Sequence, residues 1–188
     1  MRVLISGFGP FGTNKTNPSQ EFISFLDNNI EVINDIEIET VLLPVTFAGA
    51  YPELSKKINS SSPDVVISLG LAEDRDHVTL ERIAVNIIDA RIEDNDGKQP
   101  KHERVDSLFP SAGLFTTLPI DRMYDRACEK KFKVSISNSA GTYVCNQVMF
   151  KSVAQGLKSD FRAGFIHLPA NISPKDFYSL LKCFFEVL

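Results

Sequence analysis

The chain contains no tryptophan, only three cysteines and three histidines, and no long apolar run. Each shortage excludes something. Cys128, Cys145 and Cys183 are an odd number with no CxxC spacing, so they suit reduced thiols of a cytoplasm rather than a disulfide framework. His77, His102 and His167 stand apart from one another and from the cysteines, which argues against structural zinc. No stretch approaches the roughly 20 apolar residues of a membrane span. Met1-Arg2 leads directly into VLISGF without the longer apolar region of a secretory signal. Basic residues are also scarce: 20 Lys and Arg against 24 Asp and Glu leave a formal charge of −4. That balance, with a pI near 5.4, is the wrong sign for a nucleic-acid surface. A cytoplasmic protein is expected, without nucleic-acid or membrane partners.

What is present is an ordinary globular composition, 43% hydrophobic and 23% charged over 188 residues. One domain covering 1–188 is expected, long enough to bury roughly 70% of its unfolded surface. Short apolar strands are expected at Arg2–Ser6, Ile36–Pro44, Asp64–Gly70 and Ala163–Leu168. DVVISLG in particular is uniformly apolar, as in a strand buried on both faces. Helices are expected at Asn17–Asn28, Tyr51–Asn59, Leu118 to about Lys131, and Asp176–Leu188. Asn17-Pro18 supplies an N-cap followed by proline at the first helical position. Alternation of strand and helix predicts a three-layer α/β/α sandwich around a twisted, mostly parallel sheet. VTLERIAVNI continues in an apolar, β-branched pattern, and DARIEDNDGKQPKHERVD reads as a long surface excursion of the kind that often carries function.

Three places carry chemistry. Lys133–Gly156 reads as strand, turn and helix, with Cys145 on the first helical turn and Gly156 near the helix end. There the helix dipole and free N–H groups are expected to lower the thiol below about 8.5 and to receive an oxyanion. A lone cysteine also serves as a small buried hydrophobe. His167 stands within an apolar strand, where an imidazole needs partners or a satisfied backbone contact. Glu81 stands among Val78, Leu80, Ile83 and Val85, where a carboxylate needs a partner. Two pairings are open: Glu81 with Arg82 or Arg91 as a structural ion pair, or Glu81 accepting from His167 while His167 serves Cys145. The second explains all three residues as one Cys-His-Glu hydrolase site at the carboxyl ends of the strands.

The loop Gly7-Phe8-Gly9-Pro10-Phe11-Gly12 matches G-x-G-x-x-G literally. A dinucleotide site needs a helix opening within the glycines and an acid ending the second strand. Pro10 intervenes, and that strand ends in Leu42-Leu43-Pro44. The loop instead holds two phenylalanines that either pack into the core or meet a ligand.

At these residues the chain resembles pyroglutamyl-peptidase I, a family of cysteine exopeptidases that remove N-terminal pyroglutamate. The resemblance spans nearly the whole chain through SGFGPFG…NPS, TLERIAVNI, DARI, GKQP, LFTTLP, SNSAGTYVCN and GFIHLP. It implies Cys145 as nucleophile, His167 as base and Glu81 as the residue orienting that base. It also implies Arg91 near the reacting carbonyl, with an apolar lactam pocket from Phe8, Phe11, Ile92, Tyr143 and Val144, and Asn17 on a nearby loop. The fold implied is an α/β/α sandwich, with no cofactor or metal, pyroglutamyl peptides as substrate and a homo-oligomer, commonly a tetramer. Four positions differ: Leu71 and Glu73-Asp74 stand where the family commonly has Gln and Gly-Gly, and Val45 where Thr is frequent. Those differences leave a second reading, a drifted member that binds a lactam or small amide with weak or no turnover.

Overall fold

The structure, a computed structural model, describes residues 1–29 and 35–188. A six-stranded sheet has the order β2-β1-β3-β8-β4-β7. Its strands are β1 (Arg2–Phe8), β2 (Glu37–Leu43), β3 (Val65–Leu71), β4 (Val78–Glu81), β7 (Val134–Ser137) and β8 (Arg162–Leu168). Neighbours run parallel except β4 and β8, which meet antiparallel. The expected mostly parallel sheet is therefore present, with one reversal beside β8.

Helices cover both faces because strand residues alternate between them. Val3, Ile5, Ile166 and Leu168 face α1 (Pro18–Asn28), α3 (Ile120–Glu129) and α5 (Pro174–Phe185). Phe22 of α1 meets Phe177 of α5 edge-on there, at 4.6 Å between ring centroids. Leu4, Val66 and Phe165 face α2 (Ala50–Ser61) and α4 (Val144–Ser159).

Several boundaries differ from the sequence expectation, each for a local reason. β1 continues to Phe8, paired with Leu43. The Cys145 helix passes Gly156 and ends at Asp160, whose φ of 58° makes the left-handed cap. Gly156 serves packing: a Cβ there would lie 2.5 Å from the Phe161 carbonyl oxygen. α5 begins early because Ser173 caps it, accepting from Asp176 N at 3.1 Å. VTLERIAVNI divides at Arg82, which donates its N–H to Ser137 O (2.7 Å) and accepts from Thr116 N (2.9 Å). Beyond it, β5 (Ile83–Val85) pairs with β6 (Gly113–Phe115) in a separate hairpin.

The intervening excursion has neither helix nor extended strand, only a bridge between Ile88 and Glu103. Buried polar side chains hold it in place. Asn86 Nδ2 donates to Asp106 O (3.0 Å) and Ser111 O (3.1 Å). Asp94 accepts from Lys98 N (2.8 Å), Asp96 N (3.0 Å) and Phe47 N (2.9 Å). Such satisfied buried carboxylates fix a loop that otherwise has no periodic structure.

Candidate active site

The site follows from the period-2 alternation of two strands. In β4, Val78 and Leu80 point into the α1/α3/α5 core, so Thr79 and Glu81 point to the other face. In β8, Ile166 and Leu168 take the first face, leaving Phe165 and His167 on the second. Because the two strands are antiparallel with Thr79 opposite His167, Glu81 lies diagonally from the imidazole. His167 Nδ1 is 2.8 Å from Glu81 Oε1, and both side chains are buried. With Nδ1 on the carboxylate, the ring's Nε2 is left for the cleft that His167 lines.

Glu81 has a second charged partner. Arg75, on the β3–β4 loop, places Nη1 2.5 Å from the same Oε1. Its Nη2 donates to Ser137 Oγ (3.2 Å) and Ser139 O (3.3 Å), and Nη1 also reaches the Thr79 hydroxyl. Burial pushes the Glu81 carboxyl up, but hydrogen bonds and charge from His167, with Ser137 and Arg75, outweigh it and hold it below the ordinary value. Arg82 and Arg91 are not its partners. Arg82 donates to Asn138 Oδ1 at 2.9 Å and lies 3.5 Å from Asp121.

Cys145 occupies the second residue of α4, behind the N-cap Tyr143. Gly70, opposite His167 in the β3–β8 register, leaves space for it. A Cβ at residue 70 would lie 3.1 Å from Cys145 Sγ and 2.8 Å from Phe165 Cζ. The expected lowering of the thiol is not found: burial pushes it up to about 12, the Glu81 charge adds, and its own backbone N–H alone pulls the other way. Desolvation on the crowded sheet side exceeds the first-turn dipole effect and favours the neutral thiol over the thiolate.

Cys145 and His167 line one cleft of about 680 Å³. Phe11, Leu71, Ile92, Tyr143 and Arg91 line it too. Phe11 and Tyr143 rings stand 6.2 Å apart, and Phe47 meets Tyr143 edge-on at 5.3 Å. Three residues expected at the pocket do not line it. Phe8, Val45 and Val144 are buried in the core, Phe8 with its ring 6.3 Å from Phe165. Strand alternation carries Phe8 to the same inward face as Leu4, so only Phe11 opens to the cleft. Asn17 is buried as the α1 cap: its Oδ1 accepts from Ser19 N (3.0 Å) and its Nδ2 donates to Gly9 O (2.9 Å). It therefore anchors the glycine-rich loop from behind.

Arg75, Phe47 and Asp89 were not singled out from sequence. Arg75 sits in LAEDRDH, which reads as a charged surface crossing; the available signal was a buried glutamate six residues on that required a cation. Glu73 and Asp74 are exposed on the cleft rim. Glu73 accepts from the Asn14 side chain, tying this rim to the glycine-rich loop.

An α/β/α sandwich in which a helix-start cysteine shares a cleft with a carboxylate-bound histidine is the arrangement of the cysteine-hydrolase class. The family model described as pyroglutamyl peptidase matches residues 1–175. The chain belongs to the pyroglutamyl peptidase family. It is 40% identical over 171 residues to a pyrrolidone-carboxylate peptidase of Finegoldia magna, covering 90% of this chain and 78% of the relative. Against the Pyrococcus furiosus enzyme of the same name the identity is 41% over 171 residues, covering 90% and 81%. The solved pyrrolidone carboxyl peptidase of Pyrococcus furiosus superposes with a TM-score of 0.93 at 35% identity, covering 100% of this chain and 97% of that one. That of Thermococcus litoralis gives 0.92 at 34% identity, covering 99% and 92%.

Proposed function

We propose that this chain is a cysteine exopeptidase that hydrolyses the N-terminal pyroglutamyl group of peptides. One observation carries the reading: Cys145 and His167 share a cleft while the buried Glu81 holds the far side of the imidazole at 2.8 Å. In this mechanism His167 Nε2 takes the proton from the neutral Cys145 thiol as the sulfur attacks the pyroglutamyl carbonyl. Glu81 fixes the ring and stabilises the imidazolium that forms. The developing oxyanion lies against the Cys145 backbone N–H, with Arg91 at the same cleft. His167 then protonates the leaving amine, and water attacks the thioester to release pyroglutamate and restore the thiol. Every proton and bond in this sequence is handled by protein groups, substrate or water.

Phe11, Tyr143 and Ile92 supply apolar walls for the lactam ring, which carries no α-ammonium charge. Leu71 occupies the wall position at which the resemblance expects an amide, so recognition of the ring here rests more on shape. Cysteine and histidine in one cleft with a buried glutamate on the imidazole, together with the similarity to named peptidases, favour turnover over a non-catalytic lactam binder. The test is hydrolysis of pyroglutamyl-aminomethylcoumarin by the intact chain and by Cys145→Ala. Release by the former and loss of at least ~10³-fold in the latter is expected; equal rates would remove the proposal. We also infer a cytoplasmic homo-oligomer, a tetramer by resemblance. Among the described residues no helix is long and apolar enough to cross a membrane. A monomeric mass by light scattering would overturn the assembly.

A further inference from the structure

The Glu81 carboxylate is shared. One oxygen, Oε1, meets His167 Nδ1 at 2.8 Å and Arg75 Nη1 at 2.5 Å. The guanidinium is itself held at four points, by Glu81, Thr79, Ser137 and the Ser139 carbonyl. These belong to β4, to β7 and to the turn leading to Cys145. Arg75 also lines both the catalytic cleft and a second cavity, of about 570 Å³, on its other side. With Glu73 and Asp74 it lines both, and it joins the strand bearing the carboxylate to the segment delivering the thiol.

We propose that Arg75 is a positioning residue for the base: it fixes the carboxylate that orients His167 and offsets part of that carboxylate's charge where the imidazole meets it. This rests on the peptidase reading above. The charged and titratable groups facing His167 are few enough to assign. Glu81 comes from β4, Cys145 and Tyr143 from the start of α4, and Arg75, Glu73 and Asp74 from the β3–β4 loop. Asp89 and Arg91 come from the long excursion, and Phe165 closes the apolar side at 4.7 Å between rings. Of the cations, Arg75 is the one bonded to the orienting carboxylate.

The sign of the effect does not depend on which member of the pair holds a proton. A positive charge beside a hydrogen-bonded carboxylate and imidazole weakens proton binding by either group. Removing it must strengthen that binding, raising the pH below which the base is blocked. Removing the carboxylate must do the reverse. Loss of a merely structural tie would lower kcat without moving either limb.

The experiment is the pH profile of kcat/KM on pyroglutamyl-aminomethylcoumarin for the intact chain, Arg75→Gln, Arg75→Lys and Glu81→Gln. Arg75→Gln should move the acidic limb up by about one pH unit, Arg75→Lys should leave it in place, and Glu81→Gln should move it down. If Arg75→Gln does not fold, Arg75→Met, which keeps the packed stem, replaces it. Titration of the labelled His167 ring by NMR gives the same comparison without turnover. If the chain proves inactive on this substrate, the peptidase reading fails while the NMR shift still tests Arg75. An acidic limb and imidazole titration unmoved, or moved down, in the charge-removed variant would overturn the proposal.

Discussion

Gly70 has an ordinary strand backbone, so an alanine there meets no conformational barrier, only a steric one. The added Cβ would lie 2.8 and 3.0 Å from Phe165 Cζ and Cε1 and 3.1 Å from Cys145 Sγ. A phenylalanine ring within a buried strand cannot yield as a flexible chain end would. Overpacking of this kind costs about 1–3 kcal/mol. Lowering the entropy of the unfolded chain returns roughly 0.4–1 kcal/mol. A net loss of about 0.5–2 kcal/mol is expected, or roughly 2–6 °C in Tm for a chain of this length. The catalytic consequence is larger, because the sulfur and the ring packed on His167 must both shift. Displacement near 1 Å at reacting atoms costs on the order of 10²-fold. Gly70→Ala should therefore lose about 10–100-fold in kcat, with a smaller change in KM because Phe11, Tyr143 and Ile92 are untouched. Gly9→Ala is the control: nothing lies within 4 Å of its Cβ, so it keeps the entropic gain without the clash. Thermal unfolding and steady-state kinetics read both. Wild-type Tm and kcat in Gly70→Ala, or equal damage in Gly9→Ala, would refute the argument that this strand is bare to make room for the thiol.

Two further outcomes follow from the same geometry. With the Cys145 thiol raised to about 12, its alkylation by uncharged iodoacetamide should keep accelerating above pH 9, while exposed Cys128 reacts first. A plateau for Cys145 below pH 8.5, read by peptide mapping, would show a resting thiolate–imidazolium pair and reverse the order of proton transfer. Asn17→Ala removes both the α1 cap and the clamp on Gly9 O. It should cost about 0.5–2 kcal/mol in urea unfolding and raise KM more than it lowers kcat, because the loop carrying Phe11 loosens; an unchanged KM would detach Asn17 from the pocket.

Much of this was open to a sequence reader. Apolar runs such as VVISLG and the cap at Asn17-Pro18 locate strands and helices because hydrophobic burial and capping are local in sequence. A histidine and a glutamate inside apolar strands announce themselves by their desolvation cost. Pro10 argues against a dinucleotide loop at the G-x-G-x-x-G match, and β1 runs through Phe8 before α1 opens at Pro18. Pattern left Phe8 and Phe11 open between core and ligand, and the fold divides them: alternation sends Phe8 into the core while the loop turns Phe11 to the cleft.

The identity of the reactive groups was therefore set in the linear chain by residue type and local period. Their meeting was not. It required β4 to lie antiparallel to β8, which places Glu81 diagonal to His167, and no local pattern specifies the order or direction of non-adjacent strands. Arg75 as the cation on Glu81, the bare face of Gly70 beneath the sulfur, and the raised thiol are likewise consequences of packing: each depends on how much water, charge and volume distant segments leave around one another once folded.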